Sequence, residues 1–349
     1  MDGERASKRA DLVLEGGGVK GIAHVGAITA LAEAGYGFPR AAGASAGAIA
    51  AAFTAAGVPP QRMHELMTDG LDYRRVPDPD WLASIPLAGK PLAILFDKGV
   101  FMGDYLHDWI AQTLKTEAGV VRWGDLRRED AESSLSPAQS YRLVVMVTDV
   151  SRGSLVRLPW DYELYGWDPD EQPVADAVRA SASMPFVFRP VPFPWGSPSQ
   201  NTSWLVDGGA CSDFPIEVFD RTDGKAPRWP TFGIKLQARP EPGRLLNQFG
   251  TTLGFSEALL ETVINGNDQV HLADPCVQQR TIFVDTEFVS ATDFQLSKDD
   301  QSKLFRHGHD AASEFLRSWD WEAYLAGPCA KDPGRPLKAL AAQGGRGVT

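Results

Sequence analysis

The sequence predicts an α/β fold in which buried parallel strands alternate with helices. Two short, unbroken apolar runs, residues 12–14 (LVL) and 142–148 (RLVVMVT), have the pattern of strands covered on both faces. The first run ends in a glycine-rich turn, EGGGVKG at 15–21, and a helical pattern follows at once, with Ile22, Val25, Ile28, Thr29 and Ala32 on one face. A second tight turn, AGASAGA at 42–48, opens a run of good helix formers, AGAIAAAFTAA, that stops at Gly57 and Pro59.

Along the chain, residues 1–10 are polar and are expected to be flexible. The first strand, loop and helix follow, and Gly35 ends the helix. Residues 58–110 are broken by Pro59, Pro60, Pro77, Pro79, Pro86 and Pro91, with Trp81, Leu82, Ile85, Leu87, Leu92, Ile94, Leu95 and Phe96 between them. That segment reads as packing under a long loop or as an apolar wall for an acyl chain. A helix is expected from Gly103 to Leu114. The strand at 142–148 ends at Asp149, turns at 151–153 and returns as a strand at 155–158. Asp149 is a candidate for chemistry, although an aspartate at a strand end is more often a turn residue.

Residues 174–182 read as a helix broken by Pro185, and Phe193 and Trp195 belong to the core or to a pocket rim. Trp204-Leu205-Val206 is a strand that stops at Asp207-Gly208-Gly209. Strands at 231–236 and 281–284 and helices at 253–271 and 298–316 complete an α/β pattern, and the tail from Gly327 reads as disordered. With no repeat and no clear linker, residues 11–320 form one domain.

Bulk properties exclude several classes. A net charge of −11 argues against a nucleic-acid partner and against simple electrostatic docking on anionic membranes. No apolar run reaches the roughly 18–20 residues that span a bilayer, and the N-terminus lacks the apolar core of a secretory signal. A cytoplasmic address is the expectation, with export by a signal-less route left open. Cys211, Cys276 and Cys329 are odd in number and far apart, and read as reduced thiols rather than a disulfide framework or a zinc site.

Chemistry concentrates at the glycine turns. Gly43-Ala44-Ser45-Ala46-Gly47 is a G-x-S-x-G, in which flanking glycines permit a sharp turn that pushes the serine hydroxyl outward at a helix N-terminus. The turn at 15–21 suits two chemistries. Gly16-x-Gly18-x-x-Gly21 formally fits a dinucleotide fingerprint, and bare glycine amides beside a helix also make an oxyanion hole. The dinucleotide reading lacks the acidic residue expected about 20 residues on. Asp207, taken alone, is an ordinary Asp-Gly turn.

Taken together, the blocks EGGGVKG (15–21), GASAG (43–47), TDVSRG (148–153), ASASMPFVF (180–188) and DGG (207–209) resemble the patatin-like phospholipase family, in that family's order. Weaker similarity to bacterial members continues through 294–308. The resemblance implies a three-layer α/β/α sandwich with a mostly parallel central sheet. It implies a Ser–Asp dyad without histidine, Ser45 matching the nucleophile and Asp207 the base. The backbone of Gly16, Gly17, Gly18 and Val19 matches the oxyanion hole. Lys20, Gly21, Gly43, Gly47, Gly208 and Gly209 support the motifs, Lys20 standing where the family often has arginine. None of the six histidines occupies a recognisable strand-end position after Ser45, which agrees with a carboxylate base.

The implied activity is cleavage of fatty-acyl esters of phospholipids through an acyl-enzyme, with no cofactor or metal and with peripheral membrane contact as one mode of reaching substrate. A soluble carboxylesterase, thioesterase or lysophospholipase keeps the chemistry and changes the substrate. A non-catalytic nucleotide- or phosphate-binding protein leaves Ser45 and Asp207 without a role. Oligomeric state and natural substrate are not legible.

Overall fold

A computed structural model of the chain describes residues 8–77, 99–196, 201–211, 214–239 and 274–330. In chain order the elements begin with β1 (Lys8–Arg9), β2 (Asp11–Leu14), α1 (Ile22–Glu33), β3 (Tyr36–Gly37), β4 (Ala41–Gly43), α2 (Ser45–Ala56) and α3 (Pro60–Glu65). The middle of the chain supplies β5 (Gly99–Phe101), α4 (Asp104–Ala118), β6 (Leu143–Asp149), β7 (Ser154–Leu158), α5 (Val174–Ser181), β8 (Phe186–Phe188), β9 (Val191–Trp195) and β10 (Asn201–Asp207). Then follow β11 (Thr231–Lys235), α6 (Pro275–Gln279), β12 (Thr281–Phe283), α7 (Lys298–Ser318) and α8 (Trp321–Ala326).

The central sheet runs β12-β11-β2-β4-β6 with every neighbouring pair parallel. All four residues of β2 and all seven of β6 are buried, which is why Leu12–Leu14 and Leu143–Val147 are unbroken apolar runs rather than alternating ones. Helices cover both faces: α1 packs with α7, while α2 packs with α4 and α5, giving three layers. The aliphatic and aromatic side chains of β2, α1, α2 and β6 form one continuous core.

Three strands depart from the parallel pattern, and they shape the site. β7 and β10 both run antiparallel to β6, and β9 runs antiparallel to β10. Val145 of β6 pairs with Gly43 of β4 and with Leu158 of β7, so β4 and β7 lie on opposite edges of β6. Val147 pairs with Val156 of β7 and with Asp207 of β10, so β10 also lies opposite β7. β4 and β10 therefore share one edge of β6 and approach each other end to end.

Three expectations need correction. Lys8–Arg9 is not frayed; it pairs in parallel with Tyr36–Gly37. Cys276 and Cys329 are not separate thiols. They form a disulfide, because the chain after α8 turns back past α6, a route that a separation of 53 residues does not reveal. Cysteine usage thus gives no argument for a reducing compartment. The same bond holds the start of the tail that was expected to be disordered. The expected helix at 253–271 and the apolar residues 81–96 lie outside the described residues. Among the described residues no helix is long and apolar enough to cross a membrane.

Candidate active site

Ser45 is the first residue of α2 and has φ 51°, a left-handed conformation that non-glycine residues rarely adopt. The strain is the signature of the sharp strand-to-helix turn. Gly47 makes that turn possible: a Cβ there would stand 2.2 Å from the Leu14 carbonyl oxygen and 2.5 Å from that of Glu15. The first turn of α2 therefore lies directly on the end of β2. Gly21 approaches Ala46 from the other side, so the loop 15–21 is held against the serine turn at both ends.

Asp207 arrives from the opposite direction as the last residue of β10. The Ser45 hydroxyl lies beside its carboxyl group and favours the ionised form, and the Gly209 amide donates to Oδ1 at 3.0 Å. Both residues are only 6% exposed, so the pair is nearly sealed from water. Burial pushes the Asp207 carboxyl up to about 6, and Ser45 and Gly209 oppose that rise. A carboxylate in this range is a usable base near neutrality. Among the described residues no histidine contacts either group. His24 is buried beside the Glu15 carbonyl oxygen at 2.7 Å, and burial lowers it to about 4, so it stays neutral.

In the glycine loop, Gly18 has φ 56° and Lys20 is half-buried in a short 3₁₀ turn. The Val19 amide donates to the Ala291 carbonyl at 3.0 Å. No backbone carbonyl among the described residues accepts from the amides of Gly16, Gly17 or Gly18. Gly43 closes β4, and Gly208 and Gly209 form the 3₁₀ turn after Asp207. The arrangement is a strained serine, a buried carboxylate facing it and a glycine loop packed against the serine turn.

Comparison with known proteins identifies the family. The family model for patatin-like phospholipase matches residues 12–220, a span that contains Ser45, Asp207 and the glycine loop. The chain belongs to the patatin-like phospholipase family. Membership makes it an enzyme, a lipid acyl hydrolase. It is 35% identical over 312 residues to YqhO, an uncharacterized protein of Bacillus subtilis (strain 168), covering 89% of this chain and 99% of that one. Among solved structures it is similar to VipD from Legionella pneumophila (18% identity, TM-score 0.47, 90% of this chain and 67% of that one). It is also similar to ExoU in complex with SpcU from Pseudomonas aeruginosa (20% identity, TM-score 0.41, 91% of this chain and 53% of that one). At these values the two structures are likenesses of outline and carry no function across.

The patatin-like site is supported by residues that the sequence reading did not single out. Glu15 and Lys235 form a buried ion pair under the glycine loop, and the Leu236 amide also donates to the Glu15 carboxylate. The signal for it was a lysine closing an apolar strand, TFGIK. Ser181 accepts from the Ser45 amide at 2.9 Å, and the Ser183 carbonyl accepts from the Asp207 amide at 2.9 Å. Both belong to the ASASMPFVF block, whose place was recognised without a role for either serine. Asp149, by contrast, is a cap: its Oδ1 accepts from the Ser151 and Arg152 amides and its Oδ2 from the Tyr165 hydroxyl at 2.8 Å.

Proposed function

We propose that this patatin-like protein hydrolyses acyl esters of lipids with Ser45 as nucleophile and Asp207 as its base. The observation that carries the reading is the convergence of Ser45 and Asp207 on one edge of β6, with the hydroxyl of a serine held at φ 51° beside a buried carboxyl. Ionised Asp207 takes the Ser45 proton as Oγ attacks the ester carbonyl carbon. The developing oxyanion is held by amides of the loop formed by Gly16, Gly17 and Gly18. The Val19 amide, grouped with them by resemblance, is already donated to Ala291 and is left out of the proposal.

Collapse of the tetrahedral intermediate breaks the ester C–O bond, and Asp207 returns the proton to the departing alcohol or lysolipid. Water then loses a proton to Asp207 and attacks the acyl-enzyme; a second collapse releases the fatty acid and restores the Ser45 hydroxyl. One oxyanion donor is worth about 3–4 kcal/mol of barrier in comparable enzymes. Placing a full carboxylate against the serine replaces the histidine relay of a triad. The substrate is expected to reach the site by contact of the protein with a lipid surface.

The test is incubation with a diacyl phospholipid of defined acyl chains in vesicles and, separately, with short monomeric esters, with products identified by mass spectrometry. Release of fatty acid and lysolipid supports the reading. Turnover of short monomeric esters with no action on vesicles replaces it with a soluble esterase or lysophospholipase. Inertness to both, together with failure of a fluorophosphonate to label Ser45, overturns it.

A further inference from the structure

Residues 181–183, at the end of α5, touch both halves of the proposed dyad. The Ser45 amide donates to Ser181 Oγ at 2.9 Å, and Ser181 in turn donates to the Met146 carbonyl of β6 at 2.6 Å. Two residues on, the Ser183 carbonyl accepts the Asp207 amide at 2.9 Å. One short stretch of backbone therefore holds the nucleophile on one side and the base on the other. Arg179 anchors that stretch, its guanidinium donating to the carbonyls of Met102 and Gly103 and to Ser183 Oγ.

Ser181 fills a need that the serine turn cannot meet locally. The first amides of a helix have no partner within it, and a side chain at the N-cap normally accepts one of them. Ser45 is the first residue of α2, so its amide lies ahead of the helix's own bonds and outside the reach of an N-cap side chain, which serves the second or third helical amide. The amide of Ser45 is thus satisfied from another element, and the bond fixes the residue whose φ is left-handed. Ser181 is completely buried, so it is shielded from solvent and acts through the Ser45 backbone.

We propose that Ser181 is a positioning residue that sets the reach of Ser45 Oγ to Asp207, using the Met146 carbonyl as a fixed support; the inference rests on the dyad reading above. Loss of its hydroxyl frees the Ser45 amide and lets the turn relax away from the reactive conformation. Displacements of about 1 Å at a reacting group cost on the order of 100-fold in rate. The effect falls on the chemical step and leaves binding of the ester intact.

The experiment compares wild-type protein, Ser181→Ala and Thr54→Val on p-nitrophenyl butyrate, with labelling rates by a fluorophosphonate and thermal unfolding alongside. Thr54 is also on α2, and its buried hydroxyl bonds only the Ala50 carbonyl within the helix, so it reports the cost of losing a buried hydroxyl as such. Ser181→Ala is expected to lower kcat at least tenfold and slow labelling in proportion, with KM within threefold of wild type. Thr54→Val is expected to keep kcat within twofold. A Ser181→Ala protein with kcat within threefold of wild type overturns the inference while labelled wild type keeps the dyad reading intact. Wild type that is never labelled at Ser45 overturns both. If Ser181→Ala does not fold, Ser181→Cys, whose thiol is a weaker acceptor and donor, is expected to show a smaller kcat loss at unchanged KM, and full activity there overturns the inference.

Discussion

Gly43 and Asp207 pair with Val145 and Val147 on the same edge of β6, two residues apart. β4 climbs that edge and leaves it at Gly43, and Ser45 follows two residues later. β10 descends the same edge and stops at Asp207. The separation of hydroxyl and carboxyl is therefore set by strand register, and a slip of one residue in either strand would turn its residues to the other face of the sheet. Rigid strands, rather than mobile loops, deliver both groups.

The dyad variants follow from that geometry. Ser45→Ala removes the nucleophile and Asp207→Asn removes the base while keeping its shape. Each is expected to lower ester turnover by at least about 10³-fold, the scale on which members of a catalytic unit act. Circular dichroism should show both folded. Turnover retained by Ser45→Ala would remove the assignment of the nucleophile.

The acid limb of activity is the second expectation. Burial holds the Asp207 carboxyl at about 6 against an ordinary 3.8, so the ionised base is lost as pH falls through that value. The log of kcat/KM should rise with unit slope below pH about 6 and level above it. Stability moves the other way. Between 3.8 and about 6 the folded protein holds a proton that the unfolded chain releases, so this group's contribution to stability falls as pH rises through the window. Above it, the buried charge costs on the order of 3 kcal/mol. Asp207→Asn should therefore raise Tm at pH 8, and the gain should shrink towards zero near pH 4. An equal Tm difference at both pH values would show that the carboxyl is not held protonated by burial.

Gly47→Ala tests the contact between the serine turn and the glycine loop. The added methyl meets two backbone carbonyls, of Leu14 and Glu15, and no side-chain rotation relieves the clash. Because both belong to the stretch leading into Gly16, the loop must shift with them. The expected cost is about 1–3 kcal/mol in stability, read by chemical denaturation, and a kcat at least tenfold lower. Unchanged stability would mean that the two elements are not in contact.

The parts of this site that were legible in the sequence are those whose chemistry is local. The Gly47 requirement is written in G-x-S-x-G, and the unbroken apolar runs of β2 and β6 follow from burial on both faces. What could not be read is what depends on strand direction. Nothing in TSWLVDGG says that β10 runs antiparallel to β6 and brings Asp207 to Ser45; the family resemblance supplied that pairing. Ser181 reads as a small helix residue until its partner from another element is seen. Lys235 was visible as an odd residue in an apolar strand, but its carboxylate partner, Glu15, opens the glycine loop 220 residues earlier.

The disulfide supplies the last expectation. Cys329 lines a cleft with Asp11, Arg40 and Thr231, which start or precede β2, β4 and β11, at the end of the sheet away from Ser45. Closing a loop between positions 53 residues apart stabilises a chain by about 2–4 kcal/mol through the lost freedom of the unfolded state. Cys329→Ser, or reduction of the wild type, should lower Tm by several degrees. Because the bond is remote from the dyad, kcat at a temperature well below Tm should stay within twofold. Peptide mapping without reductant should recover one cross-linked peptide carrying Cys276 and Cys329, with Cys211 in a separate peptide outside the disulfide. A kcat that falls in step with reduction would mean that the cross-link constrains the β2 and β4 ends on which the glycine loop and the serine turn are built.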